Sequence, residues 1–308
     1  QFLRPMIQTL LFAHDFSPSS ERALAYAVDL VERTDATLHL AYVEETPESV
    51  LDEGRRSPLP SYKLEARFKE RCQESLAAHD LEPDDDRLVY HADRNEAVAP
   101  ALRRVAEHEE ADLIVMGTHG RRGVQRAIYG SVAEEILRTA PCPVFTARVR
   151  EEGPSATTTA PIERIAVPID FSDLSRSALQ YAARLASVYE VPLRLLHAVE
   201  EPTLPPIYET QSPKMKSREA EERAERELRS WGEAVADTVE SVSYIVHRGE
   251  PEETVVQAAA EIDTLTVMGT RGLSGVRRTM LGSVTEAVMR GAYGPVLAAR
   301  SFPDGEDE

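Results

Sequence analysis

The sequence has 308 residues, enough for two domains of ordinary size, with 42% hydrophobic residues and a mean hydropathy of −0.35. Its formal net charge is −18, which repels nucleic acid and anionic membranes at long range and excludes both as expected partners. No apolar run approaches the ~20 residues of a membrane helix, and the start lacks the basic and apolar stretches of a signal peptide, so a cytoplasmic protein is expected. Gln1 is not an initiator residue, and Met6 is a candidate native start.

In chain order, Leu10–Ala13 is a short apolar run, and Ser17-Pro18-Ser19-Ser20 offers a helix cap. Ala23, Ala27, Leu30 and Val31 then recur at helical spacing. Thr37–Val43 reads as a strand, Tyr62–Ala78 as an amphipathic helix and Arg87–His91 as a strand. A helix over Ala101–Glu109, a buried strand over Asp112–Met116, a helix over Ser131–Arg138 and a last strand over Val144–Val149 follow. The segment from Glu151 to Pro161 has no apolar period and reads as a flexible linker.

The second half repeats the order of the first. Its strands are Arg164–Ile169, Leu193–Val199, Val242–His247, Leu265–Met268 and Val296–Ala299, and its helices Ser175–Val188, Lys214–Asp237, Glu252–Ala260 and Ser283–Arg290. Residues 112–131, DLIVMGTHGRRGVQRAIYGS, match residues 264–283, TLTVMGTRGLSGVRRTMLGS, and Asp-Phe-Ser follows the first strand of each half. The repeat of about 150 residues is domain-sized and therefore a duplication rather than a solenoid. The expected domains are 1–150 and 162–301, joined by the linker 151–161 and followed by an acidic tail, 302–308. Strands separated by helices predict an α/β fold with two doubly wound parallel sheets, each of about five strands. Such sheets bind ligands outside the carboxyl ends of their strands, where strand order reverses.

The chemistry concentrates in one loop of each half. Gly117-Thr-His-Gly120 precedes Gly130-Ser131 by nine residues, and Gly269-Thr-Arg-Gly272 precedes Gly282-Ser283 by nine residues. Each loop leaves an apolar strand and enters a helix whose first N–H groups and positive dipole end can hold a phosphate, with the serine hydroxyl as a further donor. Glycine permits close backbone approach, and Arg121, Arg122, Arg126, Arg277 and Arg278 add local positive charge. The alternative is a tight strand-to-helix connection with solvated arginines.

The pattern G-x2-G-x9-G-[ST] after an apolar strand, present twice, resembles the ATP-binding motif of the universal stress protein family in its tandem form. The resemblance covers nearly the whole chain and implies adenine nucleotide alpha-hydrolase-like domains. It implies that Asp15 and Asp170 contact the nucleoside, that Tyr42 and Ala198 are the nearest matches to the residue bordering adenine, and that Gly117 and Gly269 lie against the ribose. It assigns the phosphates to Gly120, Gly130 and Ser131 in the first half and to Gly272, Gly282 and Ser283 in the second. The family's Gly-x-Pro turn survives as Gly249-Glu250-Pro251, whereas the first half carries His91–Glu96 there, and Ala13 stands where the second half has Pro168. Asp15 and Asp170 also fit helix caps.

Family members commonly pair through their last strands, which implies that the two domains of this chain pair with each other, with a homodimer of whole chains through another surface as a further expectation. ATP is the implied cofactor, with Mg2+ or Mn2+ carried by its phosphates, since the sequence shows no all-protein metal cage. His14, His119 and His197 lack metal-ligand spacing and read as structural or surface groups. Cys72 and Cys142 read as structural thiols of a reducing compartment. The chain lacks G-x-x-x-x-G-K-[ST], G-x-G-x-x-G and G-x-S-x-G, and no placed base stands out, so no catalytic residue is assigned. A nucleotide-dependent regulator is the leading reading, with a slow ATPase or a non-binding scaffold as alternatives. The acidity fits either a salt-loving source or an ordinary acidic protein from a GC-rich genome.

Overall fold

The computed structural model describes residues 6–46, 61–79, 81–95, 97–118, 130–149, 161–200, 213–272 and 281–303. The chain divides into two compact units, Gln1–Ala160 and Pro161–Glu308. Residues 151–160 of the expected linker, 151–161, and the tail beyond residue 303 lie outside the described residues.

The first unit contains β1 (Thr9–Ala13), α1 (Pro18–Thr34), β2 (Thr37–Glu45), α2 (Ser61–Ala77), β3 (Leu88–Asn95), α3 (Val98–His108), β4 (Leu113–Gly117), α4 (Ser131–Thr139) and β5 (Val144–Ala147). All strand pairs are parallel, in the order β3-β2-β1-β4-β5. The second unit contains β6 (Arg164–Pro168), α5 (Asp173–Tyr189), β7 (Leu193–Val199), α6 (Pro213–Glu233), β8 (Val242–Arg248), α7 (Pro251–Ala258), β9 (Thr264–Gly269), α8 (Ser283–Gly291) and β10 (Val296–Ala299). Its parallel order is β8-β7-β6-β9-β10. The expected α/β architecture, five parallel strands per unit, is therefore the fold, and strand order reverses between β1 and β4 and between β6 and β9.

Local chemistry sets the element ends. Ser17 caps α1 by accepting a hydrogen bond from Ser20 N, Pro18 occupies the first turn, and Asp35 closes the helix in the left-handed conformation. Ser172 and Glu190 do the same for α5. These helices bury Ala23, Leu24, Ala27, Leu30 and Val31 in one unit and Ala178, Leu179, Ala182, Leu185 and Ala186 in the other. Tyr26 and Tyr181, at matching positions, are among the largest fully buried side chains. Each fully buried leucine of these helices, such as Leu24 and Leu179, contributes ~1.5–3 kcal/mol relative to exposure. Among the described residues, no helix is long and apolar enough to cross a membrane.

One boundary differs in a way that matters. The expected strand over Arg87–His91 begins at Leu88 and continues to Asn95, pairing with β2 as far as Glu45↔Asn95. Asp93, Arg94 and Asn95 are polar and break the apolar alternation used to end the strand, yet an edge strand tolerates them because one side is solvated. Arg94 is fixed there by an ion pair with Glu44 on β2.

Candidate functional site

Among the described residues, the sequence-predicted ones lie at or near the carboxyl ends of their strands, on the central strands for Asp15, Asp170, Gly117 and Gly269 and beyond the edge strand β8 for Gly249. Just beyond β1, Asp15 turns the chain: its Oδ1 accepts from Ser17 N at 3.0 Å, and Phe16 between them is left-handed with φ 60°. Asp170 repeats this beyond β6, with Oδ1 accepting from Ser172 N at 3.0 Å and from Ser172 Oγ at 2.6 Å, and Phe171 at φ 61°. A left-handed phenylalanine costs energy and persists only where its surroundings hold it. Both phenylalanines are held by aromatic contacts: Phe16 by His14, Tyr42 and Phe68, and Phe171 by His197 and Trp231. The helix-cap reading of Asp15 and Asp170 is corrected here. The caps are Ser17 and Ser172, and the aspartates brace the turns that deliver them.

The glycine loops leave β4 and β9. Gly117 and Gly269 end these strands where space is short. A β-carbon on Gly117 would stand 2.6 Å from the Ser19 and Ser20 backbone, and one on Gly269 would stand 2.5 Å from Leu174. Both glycines thus let the strand end pack against the first turn of a helix. The next residues, Thr118 and Thr270, are buried and anchor the loop. Thr118 N donates to Ala147 O and its carbonyl accepts from Gly130 N at 2.7 Å; Thr270 N donates to Ala299 O and its carbonyl accepts from Gly282 N at 2.9 Å. The two ends of each loop are thereby pinned together, which fixes where α4 and α8 begin. Gly120 and the arginines at 121, 122, 126, 277 and 278 lie outside the described residues, as does His119.

Gly130 and Gly282 occupy the N-cap positions with no side-chain cap hydrogen bond, and Ser131 and Ser283 are the first helical residues. Their φ values, −69° and −71°, are open to any residue, and a β-carbon on Gly282 would meet Thr270 O at an ordinary 3.4 Å, so neither backbone conformation nor packing requires glycine at Gly282. Gly272, by contrast, touches the other half of the motif: a β-carbon there would lie 2.6 Å from Asp170 Oδ2. Gly249 does need its residue type, at φ 143° before Pro251 at the start of α7. In the first unit, Asn95 stands at that point, and its side-chain oxygen accepts from Ala97 N at 3.2 Å, closing the turn without Gly or Pro.

The register separates Tyr42 from Ala198. His14 N donates to Ala41 O, and Ile169 N donates to Leu196 O, so Tyr42 corresponds to His197 and Val43 to Ala198. Neighbouring strand residues face opposite sides. Tyr42 and His197 share the face that packs on Phe16 and Phe171, while Val43 and Ala198 share the other. Sequence matching alone pairs Tyr42 with Ala198 because both precede a Val-Glu-Glu run, at 43–45 and 199–201, and the strand register is one residue off that match. It also missed the ring contacts from the long helices, Phe68 on Tyr42 and Trp231 on Phe171, since nothing local marks them. His14 is buried and donates to or accepts from Ser20 Oγ at 3.1 Å, and His197 Nδ1 meets Ile169 O at 2.7 Å, both structural contacts.

These features define a tandem α/β protein with a glycine-loop helix start at the switch point of each sheet. The Universal stress protein family model matches residues 6–148 and 161–300, and the chain belongs to that family, with two Usp domains. It is 32% identical over 204 residues to Universal stress protein Rv2005c of Mycobacterium tuberculosis, a match spanning 65% of this chain and 66%, just under two thirds, of that relative. It is 33% identical over 143 residues to a universal stress protein of Thermus aquaticus, covering 46% of this chain and all of that protein. A universal stress protein structure from Archaeoglobus fulgidus superposes with a TM-score of 0.60 at 20% identity, covering 96% of this chain and 97% of that one, which supports the fold.

Proposed function

We propose that this chain is a cytoplasmic, ATP-binding universal stress protein that acts as a nucleotide-dependent regulator in a stress response. The observation that carries the reading is the convergence in the second unit. Asp170 is held at the end of β6 with Oδ2 against Gly272, and the loop returns through the Gly282–Thr270 hydrogen bond to a helix start without a side-chain cap. A carboxylate is an acceptor suited to nucleoside hydroxyl or amino groups, and a helix start supplies N–H donors and partial positive charge to a phosphate. Gly272, Gly282 and Ser283 would hold the phosphates, Asp170 the nucleoside, and Ala198 would border the base. Gly130, Ser131, Asp15 and Val43 would do so in the first unit. ATP would bring its own Mg2+ or Mn2+, whose charge the phosphates share.

The test is isothermal titration of the nucleotide-free full chain with ATP. Saturable binding that Ser283→Ala and Gly282→Val weaken supports the reading, and absence of binding leaves a scaffold on the same fold. A turnover assay on the same variants separates a binder from a slow ATPase: phosphate release that Ser131→Ala and Ser283→Ala abolish would establish hydrolysis.

A further inference from the structure

The first unit brings together three ligating groups that sequence spacing hides. His39 is on β2, His91 on β3, and Glu109 caps the carboxyl end of α3. His39 pairs in register with Val89, and His91 with Ala41, so the two imidazoles project diagonally from the same sheet face. His39 Nδ1 lies 2.9 Å from His91 Nε2 and 3.6 Å from Glu109 Oε2. The potential ligand atoms of all three residues lie within 4.8 Å of one another. In a tetrahedral site with bonds of about 2.0–2.1 Å, ligand atoms are about 3.3 Å apart, a separation that the two observed distances bracket. The other oxygen of Glu109, Oε1, meets His108 Nδ1 at 2.9 Å, an outer contact of the kind that fixes a ligating carboxylate.

The duplicated unit shows what this position becomes without the imidazoles. Leu11 pairs with His39 and Ala166 with Arg194, so Arg194 occupies the place of His39. Ala41 pairs with His91 and Leu196 with Ile245, so Ile245 occupies the place of His91. Glu109 precedes Leu113 by as many residues as Glu261 precedes Leu265, and both leucines pair with equivalent residues of the central strand. There Arg194 Nη1 reaches both oxygens of Glu261 at 2.9 Å, and Arg164 Nη1 reaches Oε2 at 2.7 Å. The second unit thus neutralises the carboxylate with fixed cations. The first offers the same carboxylate two imidazoles, which lack a fixed charge and carry lone pairs.

We propose that His39, His91 and Glu109 bind one divalent transition-metal ion of borderline softness, of which Zn2+ is the representative probe. Two imidazoles and one carboxylate suit that class and disfavour Mg2+ or Ca2+, which take oxygen ligands. Three protein ligands leave a coordination position for water. Glu109 follows α3 and precedes β4, which places the cluster toward the opposite ends of the strands from Asp15 and Gly117, so it is independent of the nucleotide reading.

The experiment uses the full chain without a histidine tag, stripped by chelator and free of nucleotide. It is titrated calorimetrically with Zn2+ and, separately, with Co2+ followed by visible absorption. The expected result is one saturable equivalent per chain, not two, with ligand-field bands for Co2+ and a raised Tm. His39→Arg and His91→Ile copy the second unit and are expected to lose that equivalent while keeping the metal-free Tm. Absence of a saturable equivalent in the unaltered chain overturns the proposal, as does an equivalent that both variants retain. Where either variant lowers the metal-free Tm, Glu109→Gln decides, since the amide keeps the shape of the carboxylate. Weakened Zn2+ binding supports the site, and unaltered binding overturns it.

Discussion

Gly272 lies directly against the carboxylate of Asp170, with room for no β-carbon: one would stand 2.6 Å from Oδ2. Asp170 cannot swing away freely, because its Oδ1 holds Ser172 N and Oγ. Gly272→Ala is therefore expected to break part of that turn, at a cost of about 1 kcal/mol per hydrogen bond lost, and to lower the ligand-free Tm. Gly282→Ala meets Thr270 O at an ordinary 3.4 Å and an unrestricted φ, so its ligand-free melt should match the unaltered chain. Scanning calorimetry of the two variants checks the order, and equal melts would show that Asp170 yields without cost.

The two thiols are expected to be inert. Cys72 is buried on α2 and Cys142 precedes β5, and burial pushes each thiol up to about 12. At that value almost no thiolate exists near pH 8, and the thiolate is the reactive form. Alkylation of the native chain at pH 8 should label neither cysteine, whereas urea-unfolded chain should label both. Rapid native labelling of either one would contradict the burial account.

The fold was legible because its signals are local and repeated. The Ser17-Pro18 cap, the apolar runs of β1, β4, β6 and β9, and the glycine pairs each report their own surroundings. What stayed hidden depends on register. Whether Tyr42 or Val43 matches Ala198 is settled by one residue of strand pairing, which composition does not encode. His39, His91 and Glu109 are far apart in sequence and meet only once β2, β3 and α3 are in place, so no spacing motif announces them. The end of β3 was misread for a related reason. A solvated edge strand holds Asp93 and Arg94 without an apolar alternation.

Acid should weaken the turn that opens β3. The Arg87 guanidinium and backbone N–H bond Asp85, and they hold its carboxyl down at about 2, against an ordinary 3.8. The unfolded chain then binds the proton at the higher pH, so stability rises with pH across this window. The contribution is complete above the ordinary value and is lost as the pH falls toward 2. Because the partners are two residues apart, the unfolded chain retains some of the pairing and the effect is small. Asp85→Asn should show a shallower loss of Tm than the unaltered chain between pH about 4 and 2. Parallel acid limbs would remove Asp85 from the account.

Salt should stabilise the protein if its acidity is an adaptation to salt. With a net charge of −18, self-repulsion opposes the compact state, and added salt screens it. The local pairs Arg33–Asp29, Arg218–Glu222 and Arg229–Glu225 are exposed and contribute little, so their screening costs little. Tm is expected to climb as KCl is raised from low to molar concentration. A flat or falling curve leaves general acidity as the whole explanation.

The second unit is expected to be the stronger ATP site. It keeps Asp170 against Gly272 and the Gly249 turn at φ 143°, whereas the first unit closes that turn through Asn95. Valine at Gly282 or Gly130 places a branched side chain at the N-cap, where a phosphate would need to reach the N–H groups of α8 or α4. Both positions have ordinary φ, so the substitution acts on access more than on the fold. A ligand that binds only the folded state adds about 2.7 kcal/mol at a hundredfold excess over Kd, and each kcal/mol moves Tm by roughly 2–4 °C in domains of this size. The ATP-induced shift should therefore shrink more for Gly282→Val than for Gly130→Val, each compared with its own ligand-free melt, and equilibrium dialysis should rank them alike. Loss of binding in Gly130→Val with full binding in Gly282→Val reverses the assignment. Full binding in both places ATP away from the glycine loops.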